Sequence, residues 1–208
     1  VPVDEWKLDI VASGSQKGYM IPPGLSFIAM SQKAWEAAEK SNLPKFYLNL
    51  KSYRKSLLSN SNPYTPAVNL VFALDEALKM MREEGLDNIF RRHNKHKLAM
   101  SNAVKALNLK LFADEKYLSP SITAIKTEGI DAEEFRKKIK SSFNILLAGG
   151  QDHLKGKIFR VGHLGYVNDT DIITVVSAIS NTLLGLGKIT AQQAGEALVE
   201  VSKYLEKS

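Results

Sequence analysis

Hydrophobic and polar positions first alternate at Leu8-Asp9-Ile10-Val11-Ala12-Ser13, a β-branched run that predicts a short strand. The run gives way to Gly14-Ser15-Gln16-Lys17-Gly18, a tight polar turn bracketed by glycines. In Ile21 to Met30 the prolines fix a turn, and the apolar positions predict a second, buried strand. Ser31 stands where an N-cap belongs, ahead of a short helix from Gln32 to about Lys40. The stretch from Asn42 to Ser61 is basic and aromatic and shows no assignable period, and Asn62-Pro63-Tyr64-Thr65-Pro66 is a loop by its prolines. Val68 to about Glu84 then repeats with helical spacing and is closed by Gly85. A long helix follows from about Asp87 to Leu107, with Leu98, Val104 and Leu107 among its core candidates.

From about Leu109 the order changes to short strands alternating with helices. Strands are predicted at Ser121 to Lys126, Ile145 to Ala148 and Lys157 to Val161. Helices are predicted at Asp131 to Ser141, Thr170 to Leu186 and Thr190 to Tyr204, the first and last opening on an Asp and a Thr cap. The fold class is α/β, with one domain over 1–107 and a small α/β domain over 108–208. The opening strand and its polar turn lack neighbours to cover them, so the expectation is that a preceding half is missing.

Composition changes this picture little. Of 208 residues 44% are hydrophobic and 24% charged, which is ordinary for a globular protein that buries a core. No apolar run is long enough to span a bilayer, and the start lacks the features of a signal peptide, so a cytoplasmic protein is expected. The absence of cysteine excludes disulfides, thiolate nucleophiles and thiolate metal sites. The formal charge of +6 could attract phosphate, carboxylate or nucleic acid, but an excess of this size is more often surface solubility.

Three segments carry chemistry. A lysine at the end of a strand, between glycines, offers a bulky ligand a short approach; partial desolvation would make Lys17 a usable amine nucleophile, with Ser15 and Gln16 as phosphate donors. The bland alternative, a solvated surface turn, is favoured on chemistry alone. Thr65 could cap the helix that follows it. Arg160, in Phe159-Arg160-Val161-Gly162-His163-Leu164-Gly165, presents a planar fork that suits a carboxylate, unless it is only a surface arginine. Other signals fail. Gly185 to Ile189 lacks the spacing of a P-loop, and no nucleophile elbow is present. His93 and His96 share a helical face with nothing to complete a metal site, and are expected on a solvated basic helix. The basic, aromatic runs Lys45 to Lys55 and Arg91 to Lys97 resemble single-strand nucleic-acid binders, but no nucleic-acid motif accompanies them.

The segment SGSQKGYMIPPGLSF is similar to the cofactor-lysine motif of class V (fold-type I) aminotransferases, the alanine–glyoxylate and serine–glyoxylate group. Asn62 to Leu70, Glu83-Glu84-Gly85-Leu86, Arg91-Arg92-His93 and the Arg160 segment extend the resemblance over nearly the whole chain. It implies the C-terminal part of the large cofactor domain followed by the complete small domain. It further implies that Lys17 binds pyridoxal 5'-phosphate covalently, that Gln16 and, from across a homodimer, Thr65 contact the cofactor phosphate, that the adjacent Tyr64 also binds the cofactor, and that Arg160 binds the substrate α-carboxylate. The reaction implied moves an amino group between a small amino acid, alanine or serine, and a 2-oxo acid, glyoxylate or pyruvate.

In this family the aromatic that stacks on the pyridine, the aspartate at its nitrogen and the main phosphate loop lie upstream of the cofactor lysine. The expectation is weak or no transamination without an N-terminal half. One rival follows from the same resemblance: relatives have been named as the small subunit of a cyanobacterial soluble hydrogenase. With no cysteine, that name would describe association and not redox chemistry. A basic nucleic-acid-binding module is the other rival.

Overall fold

A computed structural model describes residues 1–205; residues 206–208, at the end of the expected small domain, lie outside the described residues. The chain forms two compact units, residues 1–83 and 84–208.

In the first unit β1 (Ile10–Gly14) pairs antiparallel with β2 (Ser26–Met30), Ile10 opposite Met30 and Gly14 opposite Ser26. Ser31 caps α1 (Gln32–Lys40), accepting from the Ala34 amide, and its hydroxyl donates to Asp9 at 2.7 Å. The basic, aromatic stretch without a readable period holds α2 (Leu50–Leu58), whose cap Asn49 accepts from Lys51 N–H. After the proline loop comes α3 (Val68–Glu84). The expectation of a buried second strand is not met: Ile28 on β2 is 48% exposed and Ile10 on β1 is 62% exposed. A two-stranded sheet offers each strand one neighbour, and little else in this unit covers its faces.

The second unit begins with Glu84, and Gly85 takes a positive φ of 83° where α4 (Leu86–Ala106) starts. Next come β3 (Lys110–Leu111), β4 (Ile122–Lys126), α5 (Ala132–Phe143), β5 (Ala148–Gly149), β6 (Ile158–Gly162), α6 (Asp169–Gly185) and α7 (Ala191–Leu205). The strands form an antiparallel sheet in the order β3-β4-β6-β5. Its core joins Ile125 and Phe159 from the sheet, Phe135 and Ile139 from α5, and Ile179 and Leu183 from α6. Alanines 99 and 103 on α4 and Ala197 on α7 are fully buried, and such small residues let these two helices approach closely. By this packing α4 falls in the second unit. The 107/108 division follows the change in element order instead.

Caps explain the helix starts. Asp131 accepts from the amides of Glu133 and Glu134, and Asn168 with Asp171 forms a reciprocal capping box at α6. Thr190 and Gln193 do the same at α7. The strand expected at Ile145 to Ala148 is observed only as Ala148–Gly149, and the Gly150 amide continues the pairing by donating to Ile158 O at 3.1 Å. A methyl group at Gly150 would lie 2.1 Å from the Leu154 carbonyl oxygen. Among the described residues, no helix is long and apolar enough to cross a membrane.

Candidate active site

Lys17 sits in the turn that leaves β1. Its amide donates to Gly14 O at 3.3 Å and its carbonyl accepts from Met20 N–H at 3.1 Å. The side chain is exposed, and its amine has no hydrogen-bond or ion-pair partner among the described residues. The desolvation expected at the end of a buried strand is therefore not supplied by the described residues. Gly18 leaves open space beside it, since a methyl group there would meet nothing within 4 Å. Gln16 is also exposed and folds back over Gly14, where a methyl group would lie 2.7 Å from its Oε1. Ser15 departs from expectation. It is fully buried, its hydroxyl donates to Pro22 O at 2.8 Å and accepts from Leu25 N–H at 3.1 Å, so it closes the β1–β2 loop and is not available to a phosphate.

The second candidate group is the loop 62–66 of the same unit. Thr65 is exposed and makes no capping hydrogen bond to α3, which leaves its hydroxyl free among the described residues. Tyr64 beside it is half-buried, and its ring lies 4.6 Å from Tyr47, 5.9 Å from Phe46 and 6.1 Å from Tyr53. Its hydroxyl donates to Phe46 O at 3.3 Å. The rings of the basic stretch thus pack on one another. Arg54 lies over Trp35 at 4.6 Å, and Lys51 pairs with Glu39 at 2.6 Å. Among the described residues, no hydrogen bond or ring contact joins this loop to the Lys17 turn.

In the second unit Arg160 stands on β6 with alanines directly opposite on both neighbouring strands, Ala124 on β4 and Ala148 on β5. Cross-strand partners share a face, so small residues leave room around the guanidinium. Nε donates to Gly149 O at 2.9 Å, and the two terminal nitrogens are free of partners among the described residues. One edge of the guanidinium is thereby anchored. The other edge carries two terminal donors whose geometry suits a carboxylate.

A polar cluster in this unit went unread in the sequence. Arg92 grips Glu84 through Nε and one terminal nitrogen at 2.7 and 2.9 Å, and its other terminal nitrogen donates to the carbonyls of Gly165 and Val167. The Arg92 hydrogen bond holds the Glu84 carboxyl below the usual carboxylate range. His93 accepts from Gly165 N–H. His96, expected on a solvated face, is fully buried and donates to Asp169 at 2.8 Å, while burial lowers its pKa. Burial opposes the charge on Asp169, yet hydrogen bonds from Lys95 and His96 hold its carboxyl below the ordinary value. His163 is also buried, between Thr123 and Pro120 O, and burial pushes its pKa down to about 4. Among the described residues no group of three or more His, Asp or Glu could hold a metal.

Residues 1–165 match the family described as aminotransferase class-V. The chain belongs to the class-V aminotransferase family. It is 57% identical over 187 residues to the protein named soluble hydrogenase, small subunit, of Synechococcus sp., covering 90% of this chain and 49% of that protein. It is 36% identical over 213 residues to the serine–glyoxylate aminotransferase of Methylorubrum extorquens, covering 99% of this chain and 52% of that enzyme. Among solved structures, the ureidoglycine–glyoxylate aminotransferase of Bacillus subtilis superposes with a TM-score of 0.87 at 30% identity, covering 97% of this chain and 54% of that one. Pyridoxamine–pyruvate aminotransferase of Mesorhizobium loti gives 0.90 at 25% identity, over 98% and 53%. This class-V chain thus spans about half the length of the relatives it matches, and its fold is that of the C-terminal part of these enzymes.

The family implies pyridoxal phosphate, and the residues present fit that group in part. An uncommitted amine on an open turn and an uncommitted hydroxyl on an exposed loop are the right chemistry for its aldehyde and its phosphate. Ser15 is not among them.

Proposed function

We propose that this chain is the C-terminal part of a pyridoxal-phosphate aminotransferase acting on a small amino acid, alanine or serine, and a 2-oxo acid such as glyoxylate or pyruvate. The observation that carries the reading is the uncommitted Lys17 amine on an open turn, in a chain of the class-V family. Lys17 would hold the cofactor, Gln16 would contact its phosphate, and Thr65 would reach across a homodimer to the phosphate of the partner's cofactor. When bound, the cofactor supplies the electron sink that stores the electron pair released at the substrate α-carbon. Freed by the incoming amino acid, the Lys17 amine would act as general base at that carbon. Arg160, anchored at Nε, would orient the substrate by its α-carboxylate.

Homodimerisation, a cytoplasmic location and a need for an N-terminal half belong to the same reading. The exposed side chains of Leu43, Phe46, Leu48, Leu58 and Phe72 in the first unit support a further surface being covered. A second reading, a subunit associated with a hydrogenase, rests on the name of the 57% identical relative. A single-strand nucleic-acid module is disfavoured, because the aromatic rings and several of the basic groups around Tyr64 and Trp35 are engaged with one another.

The test is titration with pyridoxal phosphate, borohydride reduction and mapping of the labelled lysines. Selective labelling of Lys17 supports a cofactor site within this chain. Diffuse labelling of surface lysines would sink that site as a property of the chain alone.

A further inference from the structure

We propose that Tyr64 is a positioning residue whose ring, seated among Phe46, Tyr47 and Tyr53, holds the 62–66 loop so that Thr65 presents its hydroxyl outward. The presentation of Thr65 to a phosphate rests on the reading above; the anchoring does not. Tyr64 has three aromatic neighbours with ring centres 4.6 to 6.1 Å away, within the range where aromatic pairs attract beyond simple burial. The Phe46 contact is edge-on, a geometry the ring quadrupole favours, and the closer Tyr47 contact is tilted. Its hydroxyl is turned to Phe46 O at 3.3 Å.

The rest of the loop is built to pass this fixation on to its neighbour. Pro63 and Pro66 flank the pair Tyr64-Thr65, and each fixes its own φ and restricts the residue before it. The residue before Pro66 is Thr65 itself. Beyond Pro66 the chain closes at once onto α3, with Val68 N–H donating to Pro66 O and Leu70 N–H to Ala67 O. Thr65 therefore lies between an aromatic anchor and a helix start, with its hydroxyl unpaired among the described residues. The aromatic seat also gives the unassigned stretch 42–61 a task, since Phe46 and Tyr47 precede α2 and Tyr53 lies on it.

Backbone ¹⁵N relaxation on the full chain tests the anchoring without any cofactor. The order parameter of Thr65 should stand near the rigid value of about 0.85 in the wild type and in Tyr64→Phe, and fall below about 0.6 in Tyr64→Ala. Tyr47→Leu removes the nearest ring, leaves Tyr64 in place and should lower the same value, which decides the matter if Tyr64→Ala does not fold. A mobile Thr65 in the wild type, or an unchanged value in Tyr64→Ala and Tyr47→Leu, would overturn the proposal. So would Tyr64→Phe falling as far as Tyr64→Ala.

A second arm compares binding of pyridoxal phosphate with that of pyridoxal. Thr65→Val and Tyr64→Ala should each lose about tenfold or more of the preference for the phosphorylated form, as for one hydrogen bond to a charged group, and Tyr64→Phe should keep it. If Tyr64→Phe loses as much as Thr65→Val, the phenol is itself a ligand and the positioning role is overturned. If Thr65→Val loses nothing, or the chain shows no preference, the phosphate reading of Thr65 fails, while the relaxation result still decides the anchor.

Discussion

At His163 two hydrogen bonds select one form of the ring. Pro120 O can only accept, so Nδ1 carries the proton, and Nε2 is left to accept from the Thr123 hydroxyl. A proton added at Nε2 would be buried facing a hydroxyl that must reorient, which agrees with the fall from 6.5 to about 4. The unfolded chain binds this proton more readily than the folded one. Stability is therefore fully present above pH 6.5 and is lost as pH falls from 6.5 toward about 4. The loss amounts to roughly 3 kcal/mol for this residue. His96, also lowered by burial, acts in the same direction. We expect urea unfolding at pH 7 and pH 4.5 to show a smaller acid-induced loss in His163→Gln than in the wild type; an equal loss would move the acid sensitivity elsewhere. Arg160 belongs to the same scale. Arg160→Lys keeps the charge but not the fork, so on the proposed reading KM for the amino acid should rise about tenfold or more. Cofactor labelling of Lys17 should be unchanged, and a parallel loss of labelling would point to a fold defect.

Among elements, the helices with polar caps were the most legible. Ser31 and Asp131 stand at the starts their sequence predicts, because a cap is a contact between residues two or three apart. The capping box at α6 went unread, since Asn168 lies two residues ahead of the expected start. Asn168→Ala should cost about 1 kcal/mol in thermal unfolding, with no effect on Lys17 labelling. Arg92 ties α4 to the loop between β6 and α6 through carbonyls 73 and 75 residues away. Arg92→Leu leaves Glu84 and those two carbonyls without their donors and is expected to cost on the order of 2–3 kcal/mol, read by urea unfolding. A cost within the error of the measurement would mean that water replaces the guanidinium there.

For the whole molecule, the main hydrophobic core lies in the second unit, where the sheet, α4, α5, α6 and α7 pack together. Phe159 is fully buried against Phe135, with ring centres 5.1 Å apart. Phe159→Ala should destabilise by about 3–5 kcal/mol in urea unfolding, because the sheet cannot close over the missing ring. The first unit keeps Ile10, Ile28 and Phe72 in solvent, which agrees with a chain that spans half of its relatives.

By itself the sequence determined the α/β order, the capped helices, the prolines of the Thr65 loop and the family to which Lys17 and Arg160 point. All of these depend on neighbours within a few positions or on motifs read as strings. Tertiary structure alone decided that Ser15 closes a loop, that His96 and His163 are buried, that Arg160 faces two alanines and that Tyr64 sits among three rings. Each of these involves partners from 7 to 73 residues apart. Periodicity reports which face of an element is apolar, but which polar groups that face meets is set only when distant segments pack.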